Sequence, residues 1–209
     1  MKNEKNLLVF SKVPIFGEVK TRLANGLGLQ KALEIYHYLL KKTWEVIENL
    51  DCEVFIYWNQ ESPEIPENWN QFEKRIQISG NLGEKMSKAF QDSFQNGSRK
   101  VVVIGSDCPT LNQSHVEEAF EKLDFTDVVL GPTLDGGYYL LGMKNYESDL
   151  FEGISWSTSS VFQETMSKIE EMNLKYELLE LLNDIDTIKD WNYYLIHHLK
   201  NEKNLGELT

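Results

Sequence analysis

Three basic side chains crowd the segment KVPIFGEVKTR, residues 12–22, directly after the first apolar run of the chain. Lys12, Lys20 and Arg22 surround a bend that Gly17 marks. A bent loop of this kind can bring backbone N–H groups and positive side chains to a phosphate, and an arginine can bind two phosphate oxygens at once. The spacing matches neither a P-loop nor a dinucleotide-binding turn. A solvated basic loop that balances nearby acidic residues is the structural alternative.

A single carboxylate stands at the end of the clearest buried strand. Asp107, in the motif GSDCP, follows the apolar run KVVVI. A carboxylate held at the edge of a sheet, close to the low-dielectric core, is costly unless it is paired, and a bound cation is one way to pair it. An Asx turn, or a cap for the helix that follows, would satisfy the same side chain without a ligand.

Three further aspartates occur in two short motifs. Asp135 precedes two glycines in GPTLDGG, where glycine permits close approach of the backbone to a ligand but equally suits an Asp-Gly hairpin turn. Asp184 and Asp186 of NDIDT stand two residues apart. In an extended segment both would point the same way and could hold Mg²⁺ or Mn²⁺. Capping of a helix that begins near residue 188 is the alternative for Asp186.

Short apolar runs that alternate with segments of helical periodicity must position these side chains. Continuous or alternating apolar runs predict six strands, and apolar residues spaced three and four apart predict five helices. The predicted strands cover residues 7–10, 53–58, 75–79, 100–109, 127–131 and 136–143. The predicted helices cover residues 29–49, 82–94, 112–122, 162–172 and 188–199.

The order of these elements predicts the fold class. Alternating strands and helices over the first 130 residues predict an α/β protein with a mostly parallel sheet and helices on both faces. Two strands in succession around the glycine-rich residues 131–137 predict a smaller, partly antiparallel appendage. Ligands of open α/β sheets bind outside the carboxyl ends of the strands. Residues 12–22, 106–110 and 131–137 all follow such ends, and this convergence indicates one ligand site.

Length and charge narrow the class of protein. A chain of 209 residues suits one well-cored domain, so we expect a single domain over residues 1–209. The 33 acidic and 21 basic side chains give a formal net charge of −12, which argues against a broad nucleic-acid interface. No run approaches the roughly 20 apolar residues of a membrane span. The two cysteines form no disulfide framework, and we expect a cytoplasmic protein.

Six motifs stand in the order in which a known family has them, and they cover nearly the whole chain, about residues 7–195. In these motifs the chain resembles the DUF2064 family, which is glycosyltransferase-like. The resemblance implies a GT-A, nucleotide-diphospho-sugar transferase type of fold, a three-layer α/β/α sandwich. One departure is Phe16-Gly17, where the family usually has Pro-Gly. The motifs are KVPIFGEVKTRL, GNLGEKM, GSDCPTL, LGPTLDGGYYLLG, ISWST and NDIDT.

The resemblance also implies nucleotide-binding residues. The family resembles MobA-like and CofC-like nucleotidyltransferases in its first loop, which there cradles the phosphates of the nucleotide. In this chain that role would fall on Lys12, Lys20 and Arg22, with Gly17 at the bend. The motif GNLGEKM adds weaker candidates, namely Gly83, Glu84 and Lys85.

Metal ligands and a catalytic base follow from the same resemblance. In GT-A folds an acidic residue after the central strand binds the divalent cation that bridges the diphosphate, and Asp107 holds that position. The full DxD signature is absent, so Asp186, with Asp184 beside it, would supply the second contact. Asp135 would lie near the acceptor or the sugar and serve as a base, and Lys20 and Arg22 would stabilise the leaving group.

These implied roles fit two transfer reactions. The leading hypothesis is a metal-dependent, glycosyltransferase-like transferase that uses a nucleotide-sugar donor. The alternative is a nucleotidyltransferase that activates a small acceptor with an NTP and releases pyrophosphate. Both reactions require the same clamp of cations and Mg²⁺ or Mn²⁺, so the motifs do not separate them. A binding module without turnover is a third hypothesis, which the four aspartates disfavour, and a homodimer is left open.

Overall fold

The computed structural model describes residues 4–199 as one seven-stranded sheet with helices on both faces. The strands are β1 (Lys5–Ser11), β2 (Glu53–Trp58), β3 (Glu73–Ile76), β4 (Lys100–Ile104), β5 (Val128–Pro132), β6 (Tyr138–Met143) and β7 (Tyr176–Leu178). The helices are α1 (Thr21–Leu27), α2 (Leu29–Ile47), α3 (Leu82–Gln95), α4 (Gln113–Lys122), α5 (Val161–Glu171) and α6 (Ile188–His197). Two short 3₁₀ helices, Glu67–Gln71 and Ser148–Phe151, lie in connections. None of these helices is long and apolar enough to cross a membrane.

The sheet is mostly parallel, as predicted. Its strands follow the order β3-β2-β1-β4-β6-β5-β7. Within residues 4–199, β6 alone runs antiparallel to its neighbours, β4 and β5. The predicted antiparallel appendage is wrong. After β5 the chain turns back as a hairpin, and β6 inserts into the middle of the sheet because its apolar side chains are buried on both faces.

Alternate side chains of the central strands fill two cores. Leu7 and Val9 belong to a cluster with side chains of α2, α4 and α6, whereas Leu8 belongs to a cluster with side chains of α3 and α5. All three are fully buried, as the two-residue period of a strand requires when both faces are covered. With both faces covered, the ends of the strands are the part of the sheet that a ligand can approach.

Two elements lie outside the sequence predictions. Helix α1 has only seven residues and contains Gly26, where a Cβ atom would lie 3.2 Å from the side chain of Ile188 at the start of α6. Strand β7 has three residues, all of them exposed, and pairs with β5 at the edge of the sheet. Both elements are too short to show a periodicity, and tertiary contacts decide that they form.

Capping boxes begin three of the helices and satisfy their first N–H groups. At α6 the cap is Thr187, whose hydroxyl accepts from the Asp190 N–H while the Asp190 carboxylate accepts from the Thr187 N–H. The Asp186 side chain therefore does not cap this helix and is available for other contacts. The capping pairs are Asn81 and Glu84 at α3, Asn112 and His115 at α4, and Thr187 and Asp190 at α6.

Candidate active site

The carboxyl ends of β1 and β4 lie side by side because these strands pair in parallel along their length. The hydroxyl of Ser11, the last residue of β1, donates a hydrogen bond to the Ser106 hydroxyl at 3.0 Å. This bond joins the loop of residues 12–20 to the loop that carries Asp107. Two of the three segments that the sequence analysis expects at one site are therefore adjacent.

The loop of residues 12–20 doubles back through a tight turn. The Glu18 N–H donates to the Ile15 carbonyl at 3.1 Å, and Gly17 occupies the third turn position with φ of 82°. Glycine adopts such a positive φ without strain. Lys20 is also left-handed, with φ of 48°, just before α1, a conformation that costs a residue with a Cβ atom about 1–2 kcal/mol. The turn at Gly17 and the conformation of Lys20 together direct the loop back towards β4.

The Lys20 ammonium lies between two carboxylates that come from distant parts of the chain. Its Nζ atom is 2.9 Å from Asp107 Oδ1 and 3.1 Å from Asp186 Oδ1, and the Lys20 side chain is only 5% exposed. Burial acts to lower the pKa of Lys20, but the two carboxylates outweigh it and raise that pKa above its ordinary value. Lys20 is therefore a permanent positive charge, and the three side chains form the centre of the site.

Arg22 extends this cluster towards solvent. Its Nη1 atom is 3.4 Å from Asp186 Oδ2, on the other oxygen of the carboxylate that Lys20 contacts. The Arg22 side chain is 72% exposed, so this ion pair contributes little to stability. The guanidinium can instead turn to an incoming anion, which it can bind with two N–H groups.

Tyr36 of α2 anchors the start of this loop by hydrogen bonds to its backbone. Its buried hydroxyl accepts from the Lys12 N–H at 2.9 Å, donates to the Lys12 carbonyl at 2.8 Å and lies 3.1 Å from Ser11 Oγ. Burial, and then the charge of Asp107, raise the pKa of Tyr36, so its hydroxyl remains a donor at neutral pH. The sequence gives no signal for this role, because Tyr36 reads as one more apolar position of a helix face.

Replacing Tyr36 by phenylalanine should therefore loosen the start of this loop. Each lost hydrogen bond is worth about 1 kcal/mol, so loss of the two bonds to Lys12 should speed hydrogen exchange of the loop amides about thirtyfold. Tyr38→Phe is the matched control, because Tyr38 lies on the same helix and its hydroxyl lies 2.7 Å from that of Tyr194. Equal exchange rates of the loop amides in the two variants would show that the Tyr36 hydroxyl does not position the loop.

Asp184 lies behind this cluster in an enclosed position. The neighbouring Ile185 N–H donates to the Asp107 carbonyl at 2.9 Å, which fixes the NDIDT segment across the end of β4. Asp184 Oδ1 is buried and has no hydrogen-bond partner within residues 4–199. Burial, followed by the charges of Asp107 and Asp135, raises the pKa of Asp184 to about 8. The side chain is thus largely protonated at neutral pH.

Asp135 lies in the turn between β5 and β6. Its Oδ1 atom accepts from the Thr133 hydroxyl at 2.6 Å and from the Gly137 N–H at 3.0 Å. Gly136 has φ of 90°, and a Cβ atom there would lie 2.0 Å from the Ser159 carbonyl oxygen. The hairpin-turn interpretation accounts for the glycine pair and for one carboxylate oxygen. Asp135 is exposed, and its charge helps to raise the pKa of Asp184, so it lies near the site. The role of Asp135 as a base stays a prediction.

The weaker candidates of GNLGEKM lie at the first turn of α3. Glu84 is the capping-box residue of that helix, with its Oε2 atom 2.7 Å from the Asn81 N–H. Gly83 is buried under Trp156, whose Nε1 atom would lie 2.1 Å from an added Cβ atom. These two residues therefore have structural roles. Lys85 is half-buried and Lys12 is exposed, and within residues 4–199 neither forms an ion pair, so both remain candidates for phosphate contacts.

The carboxylates offer a divalent cation two ligands rather than a complete cage. No group of three or more His, Cys, Asp or Glu side chains in the described part of the chain is arranged to hold a metal ion. Asp107 and Asp186 nevertheless meet at one cation, Lys20, and Asp184 adds an unpaired buried oxygen beside them. Mg²⁺ usually takes one or two carboxylates and completes its shell with water and substrate phosphates. The Asp107–Asp186 pair fits that kind of site.

Comparison with known proteins shows that the chain is similar to a bacterial family and to proteins named as transferases. The family model described as "Uncharacterized protein conserved in bacteria (DUF2064)" matches residues 43–158. A 2-phospho-L-lactate guanylyltransferase of Methanocaldococcus sp. (strain FS406-22) is 25% identical over 194 residues, which cover 90% of this chain and 81% of that protein.

Two solved structures resemble the fold. A protein from Desulfovibrio desulfuricans G20, provisionally named a nucleotide-diphospho-sugar transferase, is 31% identical with a TM-score of 0.88, over 98% of this chain and 90% of that one. The inositol-1-phosphate CTP transferase from T. maritima has a TM-score of 0.56 at 12% identity, over 97% of this chain and 98% of that one. The second likeness shows the fold alone.

Proposed function

The chain belongs to the DUF2064 family, and from the charges at its strand ends we propose that it is a nucleotidyltransferase dependent on Mg²⁺ or Mn²⁺. It would transfer a nucleoside monophosphate from an NTP to a small phosphorylated or carboxylated acceptor and release pyrophosphate. The observation that carries the proposal is the buried Lys20 ammonium between Asp107 and Asp186, where the ends of β1 and β4 meet. A fixed cation and a carboxylate pair are what a triphosphate and a divalent ion require.

The guanylyltransferase relative favours nucleotidyl transfer over the glycosyl transfer that the sequence analysis placed first. That relative is similar over nine-tenths of this chain, and its name specifies a guanylyl donor, so GTP is the first donor to test. Glycosyl transfer from a nucleotide sugar is the second candidate, because the structure from Desulfovibrio desulfuricans G20 carries a name of that class at 31% identity.

The proposed reaction is a displacement at the α-phosphorus. An acceptor oxygen forms a bond to the α-phosphorus while the bond from that phosphorus to the bridging oxygen of pyrophosphate breaks, and pyrophosphate leaves with the electron pair. Lys20 and Arg22 would stabilise the charge that grows on the leaving group. Lys12 would bind the phosphates as a point charge. A phosphate or carboxylate acceptor is already ionised, whereas for a hydroxyl acceptor Asp135 would take the proton.

Asp107 and Asp186 would hold the divalent cation. When it is bound, that cation neutralises phosphate charge in the ground state and in the transition state. The protein's own contribution is to hold Asp107 beside the segment that carries Asp186, through the Ile185–Asp107 backbone hydrogen bond.

Product analysis tests the proposal. We expect pyrophosphate release when the protein is incubated with Mn²⁺, GTP and a panel of phosphorylated and carboxylated acceptors. Asp107→Asn should reduce that release about a hundredfold, since it removes a charge that binds the metal, whereas Asp51→Asn, an exposed aspartate before β2, should leave it unchanged. Free nucleoside diphosphate from nucleotide sugars would support the second candidate instead. Protection of the protein from heat by nucleotide, with neither product, would indicate a binding module.

A further inference from the structure

The Lys20 ammonium contacts both carboxylates that the proposed function assigns to a divalent cation. One oxygen of each carboxylate, Asp107 Oδ1 at 2.9 Å and Asp186 Oδ1 at 3.1 Å, contacts the Lys20 ammonium. The second oxygen of Asp186 contacts Arg22. The charges of two carboxylates and two basic side chains thus already balance one another without a metal ion.

We propose that Lys20 excludes divalent cations from the Asp107–Asp186 pair until a nucleotide is bound, so that metal and nucleotide bind cooperatively. The inference rests on the proposed function, because it takes the nucleotide phosphates to be the ligand that attracts Lys20. It concerns the sequence of binding events and not the chemical step.

Electrostatics supplies the first step. A divalent cation that bound the two Oδ1 atoms would lie within a few ångström of the ammonium that now contacts them. Repulsion between a double and a single positive charge at such a distance in a partly buried site is strong. The metal can therefore bind the pair well only if the Lys20 ammonium moves away from it.

The backbone restricts where Lys20 can go. The residue is left-handed immediately before α1, Val19 beside it is buried, and the Lys20 side chain is almost wholly enclosed. Moving the ammonium without a new partner would leave a charge in an enclosed site, which is costly. Arg22 differs, because it is mostly exposed and water can replace Asp186 as its partner.

A nucleotide triphosphate removes this obstacle. Its phosphates would enter at the Gly17 loop, next to Lys20, and would give the ammonium an anionic partner in place of Asp107 and Asp186. The two carboxylates would then be free to bind the metal, and the metal would bind the same phosphates. By linkage, a metal ion must tighten nucleotide binding by the same factor by which the nucleotide tightens metal binding.

Electron paramagnetic resonance of free Mn²⁺ tests the inference without turnover. After subtraction of the Mn²⁺ that a non-hydrolysable α,β-methylene analogue of GTP binds in protein-free solution, we expect Mn²⁺ binding by the wild-type protein to strengthen at least tenfold when the analogue is present. Lys20→Met should bind Mn²⁺ without the analogue at least tenfold more tightly than the wild type and should lose most of the coupling. Arg22→Met is the matched control, because it removes one positive charge from the same cluster. We expect its affinity for Mn²⁺ without the analogue to differ from that of the wild type by less than threefold.

The possible results separate the inference from the proposed function. Equal Mn²⁺ affinity with and without the analogue, or equal Mn²⁺ affinity of wild type and Lys20→Met, would overturn the inference, as would the absence of Mn²⁺ binding in all samples. Asp186→Asn should abolish the tight binding in the Lys20→Met background. If circular dichroism shows that Lys20→Met is not folded, the Mn²⁺ affinity of the wild type with and without the analogue decides whether the inference holds. Cooperative Mn²⁺ binding without pyrophosphate release would refute the proposed reaction and leave the inference standing.

Discussion

Replacement of Lys20 by methionine is expected to lower kcat/KM for the proposed nucleotidyl transfer about a thousandfold. Removing one preorganised donor to a developing negative charge typically costs a factor of 10²–10³, and Lys20 is both a donor and a buried charge. The fold should survive, because Asp107 and Asp186 each remain close to half exposed and can be hydrated when the ammonium is lost.

Steady-state kinetics of pyrophosphate release at saturating Mn²⁺ would measure this effect. Lys88→Met is a suitable control, since Lys88 pairs with Asp92 on the exposed face of α3, away from the cluster. A loss smaller than tenfold in the folded Lys20→Met protein would show that this ammonium does not act in the reaction.

Asp184→Asn is expected to change the pH dependence of stability. In the unfolded chain the pKa of Asp184 returns to about 3.8, whereas in the folded protein burial and neighbouring carboxylates raise it to about 8. Between these values the folded state binds a proton that the unfolded state has lost, so wild-type stability falls as the pH rises. Asparagine has no proton to lose and removes this contribution.

The measurement is the free energy of unfolding in urea at pH 5 and at pH 8. From pH 5 to pH 8 the Asp184→Asn variant should gain on the wild type by at least about 1.4 kcal/mol, the equivalent of one pKa unit. All other titrating groups are common to both proteins and cancel in the difference. Asp51 is exposed, so the free energy of unfolding of Asp51→Asn should change with pH as that of the wild type does. If the free energy of unfolding of Asp184→Asn changed with pH as that of the wild type does, the Asp184 carboxyl group would not be held protonated in the folded protein.

Much of the fold follows from the local pattern of the sequence. The run EVFIYW predicts β2 at its observed bounds, and the spacing of apolar residues predicts α2 and α3. These elements are long and periodic, so their local signal is strong. The position of β6 is different. The sequence shows two successive strands, but only the open edge of β4 decides that β6 inserts into the sheet rather than forming an appendage.

Part of the candidate site can likewise be predicted from the sequence, and part of it cannot. Parallel strands predict that the loops after β1 and β4 meet, and Lys20, Arg22 and Asp107 do lie in one cluster with Asp186. The sequence ranks Lys12 and Lys20 alike, but in the structure Lys20 is buried against Asp107 and Asp186 while Lys12 stays exposed. The contacts of the Tyr36 hydroxyl have no sequence signal, because packing brings Ser11 and Lys12 to it.

The amino-acid sequence alone determined the class of fold, the order of most elements and the set of charged residues near the strand ends, because these depend on periodicity and on short motifs. Only the tertiary structure decided which charges pair. Lys20 and Asp186 are 166 residues apart in the chain, and which partner an ammonium finds depends on how separate loops meet above a sheet. The two carboxylates around the buried Lys20 ammonium then raise its pKa, since the energy of a charge depends on all its surroundings and not on its neighbours in sequence.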